Sequence, residues 1–394
     1  MEVTSKNLGV SWNRGISISY NGLSITLDAL VRPEDSIHAL VSHAHYDHSK
    51  ALKIRNLKKY STKETREIAA LYGSLDDAWH PLIMNKVMRI GDFEILPHNS
   101  GHVLGSCMIE AATPEGTILY TGDFNTRKTY TMKPAEPVPC DVLIIEATFG
   151  SPRFQFPSID EISDEMVRWA EKTIKEGKIP TFQADSLGNS QEIISIFNKA
   201  TEFPVVTSPS VSKINEIYRS HGFRLEYLDS GSDGGKEILE GGEAVYIIPK
   251  RYHPKDSRFE VALVSGWAIH TNNGFPLSDH ADFKDALKFV GECRPKLVLT
   301  CHGGGNDYIL AEQVEKRLKI QSYPIQLIPT KIEGKFEEER ISRCENTILK
   351  VAKVPGFTYS KKVIMKEAQR WGFTRSEINV ALRRLEDGGF LKKE

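Results

Sequence analysis

Apolar and polar residues alternate from Ile16 to Leu27 on both sides of Asn21-Gly22. That is the pattern of a β-hairpin, because Asn-Gly accepts the positive φ values of its tight turn. Short apolar runs follow and predict strands over 37–41, 86–95, 106–111, 117–120 and 142–146, with a mainly helical stretch over 49–77. Many short strands separated by loops, with few early helices, fit stacked mixed sheets better than a helical bundle.

The pattern changes after Ser151-Pro-Arg-Phe-Gln-Phe-Pro157, which reads as a linker. Ser158-Ile-Asp-Glu161 has the form of a capping box and opens a helix with Ile162, Met166, Trp169 and Ala170 on one stripe and Gly177 as its stop. Strand and helix signals then alternate over 179–183, 189–200, 204–207, 211–222 and 244–249, as in a small parallel α/β unit. Ser230-Gly-Ser-Asp-Gly-Gly235 reads as a flexible loop within it. A strand over 261–267, a helix over 282–291 and a strand over 296–300 complete this part. Near the C-terminus, a helix over 361–371 precedes a second capping box, Thr374-Arg-Ser-Glu377. Ile378, Ala381, Leu382 and Leu385 follow at helical spacing, then Gly388-Gly389. Helix, turn, helix and hairpin form the outline of a winged helix. A helical dimerisation or docking module has the same outline.

Composition narrows the class. At 394 residues the chain suggests two or three domains, and 40% hydrophobic content is enough for a large core. The net charge of -1 excludes a strongly basic protein, so nucleic-acid binding requires a local patch. One such patch is the segment from residue 345 onward, with 11 Lys or Arg against 6 Asp or Glu. Five cysteines without a CxxC spacing point to a reducing compartment and no disulfide framework. No apolar signal core opens the chain, and no run reaches the roughly 18 apolar residues of a membrane span. A cytoplasmic protein without a membrane partner is expected.

The candidate chemistry begins at His43-Ala-His45-Tyr-Asp47-His48, where three imidazoles and a carboxylate fall within six residues. Neutral imidazole and carboxylate both suit zinc. Neighbouring side chains on so short a loop diverge, so the four groups are expected to serve two ions. Three later positions supply the rest: His102 between glycines in Ser100-Gly-His-Val-Leu-Gly-Ser106, Asp123 in Thr121-Gly-Asp-Phe124, and His302 at a strand end before Gly303-Gly304-Gly305. The expected centre holds two Zn2+, one on His43, His45 and His102, the other on Asp47, His48 and His302, with Asp123 shared. Each ion keeps an open position, as catalytic zinc does. A water between two dications is deprotonated near neutrality, and the charges favour an anionic transition state. Asp28, at the end of the second hairpin strand, could orient His43 or His45. His98 lacks companions at ligand spacing.

These motifs resemble the metal motifs of the metallo-β-lactamase superfamily. A second set resembles its β-CASP nucleases: Glu146 in LIIEATFG, His280 in LSDHADF, and His302. Ala184-Asp-Ser-Leu-Gly188-Asn-Ser-Gln191-Glu192 and Val264-Ser-Gly266-Trp267-Ala resemble elements of the β-CASP subdomain. The wording is closest to a compact prokaryotic branch of RNA-processing exonucleases and ligase-associated DNA exonucleases. The resemblance covers about residues 10 to 330. It implies an α/β fold, a metallo-β-lactamase αββα sandwich over 1–150 and 263–340, with a β-CASP subdomain over 151–262 and a winged-helix-like domain over 345–394.

The resemblance further implies a zinc-dependent nuclease acting on single-stranded RNA or DNA, with catalytic residues His280, Glu146 and Asp47. By the family's pattern, Glu146 bonds His280, and His280 protonates the leaving oxygen. Histidine at position 302 leans towards RNA processing; repair of DNA by an exonuclease is the alternative. Ser186, Gly188, Ser278, Gly303 and Gly304 are candidate substrate-binding residues through hydroxyls or backbone amides. Two positions depart from the pattern. The segment between Glu146 and His280 is shorter than in messenger-RNA 3′-end endonucleases, and Asn189 stands where a basic residue is usual. A thioester or lactone hydrolase of the same fold, and a non-catalytic nucleic-acid-binding scaffold, are the competing readings.

Overall fold

Asn21 and Gly22 take φ values of 49° and 81°, so the chain reverses in two residues and pairs Tyr20 with Leu23. The structure is a computed structural model that describes residues 8–12, 14–271, 273–327, 341–342, 344–349, 360–370, 373, 375–388 and 390–391. The hairpin is the centre of a first sheet in strict chain order: Leu8–Trp12 (β1), Ile16–Tyr20 (β2), Leu23–Leu27 (β3), His38–Leu40 (β4), Lys58–Ser61 (β5) and Trp79–Pro81 (β6). Its first three strands are antiparallel and the rest join in parallel.

The next strands are Met88–Ile90 (β7), Phe93–Asn99 (β8), Cys107–Thr113 (β9), Gly116–Tyr120 (β10) and Val142–Glu146 (β11). A separate group follows: Ile179–Ala184 (β12), Val205–Thr207 (β13), Leu228–Asp229 (β14), Val245–Pro249 (β15), Phe259–Val264 (β16) and Gly274–Phe275 (β17). The chain then returns with Leu297–Cys301 (β18) and Gln321–Pro324 (β19). The second sheet runs β19-β18-β11-β10-β9-β8-β7, and the third runs β14-β13-β15-β12-β16-β17 with every pair parallel.

Burial explains the layering. One core joins Ile18, Ile25 and Leu40 of the first sheet to Phe93, Ile109, Ile144 and Leu299 of the second. On the second sheet's other face, Leu143, Ile145 and Val298 meet Phe289 and Val290 of helix Phe283–Cys293 and Leu310 of helix Asn306–Leu318. All five residues of β11 and of β18 are buried, as strands covered on both faces must be. The third sheet buries Phe182, Val205, Val245 and Ile247 against helices Ile159–Lys175 and Asn189–Ala200, the small α/β unit expected from the alternating signals. The expected limit of this unit, residue 262, falls within β16, and its sheet continues through Phe275.

Three local expectations change. The stretch 49–77 is helical only in short pieces, chiefly Lys63–Ala70, because β5 intervenes. Its Lys59 is fully buried and donates to Asp76 at 2.6 Å, which lets a lysine-rich tetrapeptide occupy an inner strand. The glycine-rich 230–235 is a helix start: Ser232 Oγ accepts from Gly235 N at 3.1 Å and opens Asp233–Gly241. The strand expected over 261–267 ends at Val264, and 266–270 forms a short 3-10 turn.

In the C-terminal segment, Ile378, Ala381, Leu382 and Leu385 are buried on helix Arg375–Asp387 together with Ile364 and Ala368 of Lys361–Arg370. Thr374 and the side chain of Glu377, the expected second capping box, lie outside the described residues, as does most of the expected closing hairpin.

The first capping box is complete: Ser158 Oγ accepts from Glu161 N at 3.2 Å, and the Glu161 carboxylate accepts from Ser158 N at 2.8 Å. Ser158→Ala is expected to cost about 1 kcal/mol of stability, read as a lowered urea midpoint by circular dichroism.

Candidate active site

Parallel register brings the candidate residues to one edge. Tyr120 is opposite Ile144 and Glu146 is opposite Cys301, so β10, β11 and β18 release Asp123, Ala147 and His302 on the same side. The antiparallel pairs Asn99–Cys107 and Ile109–Tyr120 bring the end of β8, and hence His102, to that side too. On the first sheet, Leu27 is opposite Leu40, so Asp28 and the loop of His43 leave together.

Hydrogen bonds determine which nitrogen of each imidazole is free. Ser42 Oγ donates to Asp28 Oδ2 at 2.6 Å, so at 2.9 Å it accepts from His43 Nδ1. His102 Nδ1 donates to the Asp279 carbonyl at 2.9 Å, and His45 Nε2 points to the Leu187 carbonyl at 3.4 Å. The remaining lone pairs converge. His45 Nδ1 is 3.1 Å from His43 Nε2 and 3.0 Å from His102 Nε2. Asp123 Oδ2 is 3.4 Å from the first and 3.7 Å from the second. Three acceptor nitrogens and a carboxylate oxygen this close, all within 4.8 Å of one another, fit a cation and little else.

Electrostatics agrees with that donor set. Burial, with His48 nearby, holds His43 well below its usual pKa, and burial lowers His102 to about 4. Both rings are neutral at pH 7. Burial also penalises the Asp123 carboxylate, but His48 and His43 outweigh it and keep it ionised.

The second group is less tightly assembled. His48 Nε2 is 3.5 Å from Asp123 Oδ1 and 3.8 Å from Asp47 Oδ2, and Asp47 is 75% exposed. Burial opposes the charge on His48, yet Asp123 and Asp28 outweigh it and push the pKa up to about 10. A cation held by His48 would therefore have to displace a proton and would bind more tightly as pH rises. The His302 ring lies 4.7 Å from that of His48, while its Nε2 faces Tyr120 Oη at 3.1 Å.

Beside this cluster, His280 Nδ1 is 2.9 and 3.0 Å from the two carboxylate oxygens of Glu146. Phe124 N and Thr148 Oγ1 also donate to that carboxylate, at 2.8 and 2.5 Å. The rings of His102 and His280 are 4.7 Å apart, and Asp123 lies within ligand distance of both groups.

No family profile matches the chain. It is 29% identical over 290 residues to a probable DNA ligase of Opitutus terrae, covering 68% of this chain and 27% of that protein. It is 26% identical over 358 residues to RNase aCSPSF2 of Saccharolobus solfataricus, covering 72% of each. An RNase J-like protein of Methanocaldococcus jannaschii is 28% identical over 209 residues, 46% of this chain and 49% of that one. The chain is similar to members of the β-CASP branch of the metallo-β-lactamase superfamily. It thus spans about half or less of the length of two of these three relatives. A solved structure, a protein of unknown function from Enterococcus faecalis V583, shares the fold with a TM-score of 0.53 at 14% identity, over 75% of this chain and 94% of that one.

Asp28, expected to orient His43 or His45, serves a different set of partners. Asp28 is buried and accepts from His48 Nδ1 at 2.8 Å, from Ser42 N at 2.8 Å and from Tyr120 Oη at 2.8 Å. It holds His48 directly and His43 only through Ser42; the expected contact to His45 is absent among the described residues. Tyr120, next to the Thr-Gly-Asp turn, escaped sequence reading and had only its adjacency as a signal. Three of the candidate substrate contacts, Gly188, Gly303 and Ser278, are engaged internally. Gly188 N donates to Gln191 Oε1 at 2.8 Å, Gly303 N donates to Asp307 Oδ1 at 2.7 Å, and Ser278 Oγ accepts from His280 N at 3.1 Å. A Cβ on Gly188 would lie 2.3 Å from Asp279 Oδ2, so glycine permits that approach. The Ser186 carbonyl accepts from Gln191 Nε2 at 3.0 Å, and Gly304 borders open space at φ +55°. His98 pairs with Glu110 at 2.6 Å, away from the donor cluster. Cys301 is fully buried.

Asp28→Ala is expected to weaken divalent-metal binding about 10- to 100-fold, measured by competition with a chromogenic chelator.

Proposed function

We propose that the protein is a metal-dependent phosphodiesterase that cuts single-stranded nucleic acid, with RNA the favoured substrate. The observation that carries this reading is Asp123, which stands at once among the converging donors and beside the Glu146–His280 pair. We further read the first two sheets and their flanking helices as the αββα sandwich, the parallel sheet as its β-CASP insertion, and the C-terminal helices as a winged-helix-like domain adding salt-dependent affinity.

His43, His45 and His102 with Asp123 would hold one zinc ion, and Asp47, His48 and His302 with Asp123 a second. When bound, such ions lower the pKa of water and neutralise charge on phosphorus oxygens. The chain's own residues supply the proton. Glu146 holds His280 by Nδ1 and leaves Nε2 for the leaving oxygen. Burial opposes the imidazolium, but Glu146 above all, with Asp123 and Asp279, lifts its pKa well above the usual value. The acid form is therefore present at neutral pH and is lost as pH rises through the raised pKa. Arg127 donates to Asp282 at 2.5 Å and to Asp285 at 2.6 Å, which secures the helix that follows His280. Two relatives carry the name RNase, which supports RNA; the relative named a probable DNA ligase supports DNA repair as the second reading.

Matched 5′- and 3′-labelled RNA and DNA single strands, with product lengths followed over time, test the function; intact strands of both kinds with zinc-loaded protein would sink it. His280→Ala is expected to lower turnover about 10²- to 10⁴-fold with metal content unchanged by elemental analysis. Glu146→Gln removes the main support of the imidazolium, so the alkaline limb of the pH–rate profile moves to lower pH.

A further inference from the structure

In a chain of net charge -1, residues 48–63 carry Lys50, Lys53, Arg55, Lys58, Lys59 and Lys63 without one Asp or Glu. This stretch leaves the ligand loop directly: His48 is on the helix Tyr46–Ser49, and Lys50–Lys53 continue it as a 3-10 turn. Lys59 is consumed by its buried pair with Asp76. Arg55 and Lys58 are exposed, and among the described residues Lys50, Lys53, Arg55 and Lys58 form no ion pair. Lys53 Nζ donates to the Tyr72 carbonyl at 2.8 Å, which orients it without neutralising it.

Tyr46 sits between the donor candidates His45 and Asp47, yet its own ring is 63% exposed. The burial that encloses the surrounding histidines stops at this ring. Lys50 Nζ and Lys53 Nζ lie 5.0 and 5.6 Å from its centroid. An exposed ring with two ammonium groups matches the two parts of a nucleotide. A base stacks on an aromatic face whatever its identity, and a phosphate sits against lysines as point charges. A protein ligand would require a matching acidic and apolar surface, whereas a single strand supplies aromatic and anionic groups at each repeat.

We propose that Tyr46, Lys50 and Lys53 form a nucleotide subsite at the lip of the active site, which grips the single strand next to the phosphate being cut. The subsite rests on the phosphodiesterase reading and specifies where the substrate is held. It recognises a base by stacking and a backbone by charge, so it tolerates sequence and depends on salt.

The test uses the full chain, zinc-loaded and carrying His280→Ala to stop cleavage, with fluorescein-labelled single-stranded oligouridine and oligothymidine followed by anisotropy across salt concentrations. Tyr46→Ala is expected to weaken binding about 5- to 100-fold, and Tyr46→Phe, which keeps the stacking face, to bind as the parent does. Lys50→Ala with Lys53→Ala is expected to reduce the slope of log affinity against log salt by about 1.4, at roughly 0.7 per phosphate contact on a single strand. Unchanged affinity and slope in these variants, while wild-type protein still cuts the strands, overturns the subsite alone. Failure of the parent to bind any strand, together with failure of wild-type protein to cut any, overturns both the subsite and the phosphodiesterase reading. Metal content is measured in each variant, because affinity lost only together with metal also overturns the subsite.

Discussion

A single buried carboxylate, Asp28, couples the two main sheets to the donor cluster. Only 3% exposed, it would be costly to bury unpaired. Four donors satisfy it: Ser42 N, Ser42 Oγ, His48 Nδ1 and Tyr120 Oη. Ser42 and His48 come from the loop that follows β4 of the first sheet and Tyr120 from β10 of the second, so the requirement to satisfy one buried carboxylate sets the relative position of both. The same bonds decide which imidazole nitrogens face inward. His43 and His48 present Nε2 to Asp123 because Nδ1 is already committed, one through Ser42 and one directly.

Burial then divides the histidines into two kinds. Where desolvation dominates, as at His43 and His102, the ring is held neutral and its lone pair is available to a cation. Where carboxylates dominate, as at His280, the ring is held charged and can give up a proton. The two states lie within one ring-to-ring contact of 4.7 Å between His102 and His280. How many carboxylate oxygens each ring can reach thus decides its charge, a property of position rather than residue type, and His48, beside Asp28 and Asp123, falls with His280.

Part of this was legible in the linear chain because it is local. Asn21-Gly22 dictates its own turn, Ser158 and Glu161 cap the same helix end, and β11 announces itself as five apolar-to-acidic residues bound for the interior. The spacing of His43, His45, Asp47 and His48 marked a ligand loop, and the motifs placed His102, Asp123, Glu146, His280 and His302 in one family pattern. Local signals failed where a distant partner overrides them. Lys59 reads as a surface residue, but Asp76 neutralises it inside a strand, and Ser232 turns a glycine-rich run into a helix.

The amino-acid sequence by itself determined the donor types, their order and the alternation of elements, since these follow from side-chain chemistry and short-range backbone preference. Only the tertiary structure decided that Asp28 serves His48 and that His302 faces Tyr120. It also decided that the amides of Gly188 and Gly303 are spent on Gln191 and Asp307. Each of these joins residues that meet only once the sheets have stacked or the loops have closed. The exposure of Tyr46 on the same short loop as buried His43 and His48 belongs to the same class, because burial is a property of the whole packed surface and no stretch of six residues encodes it.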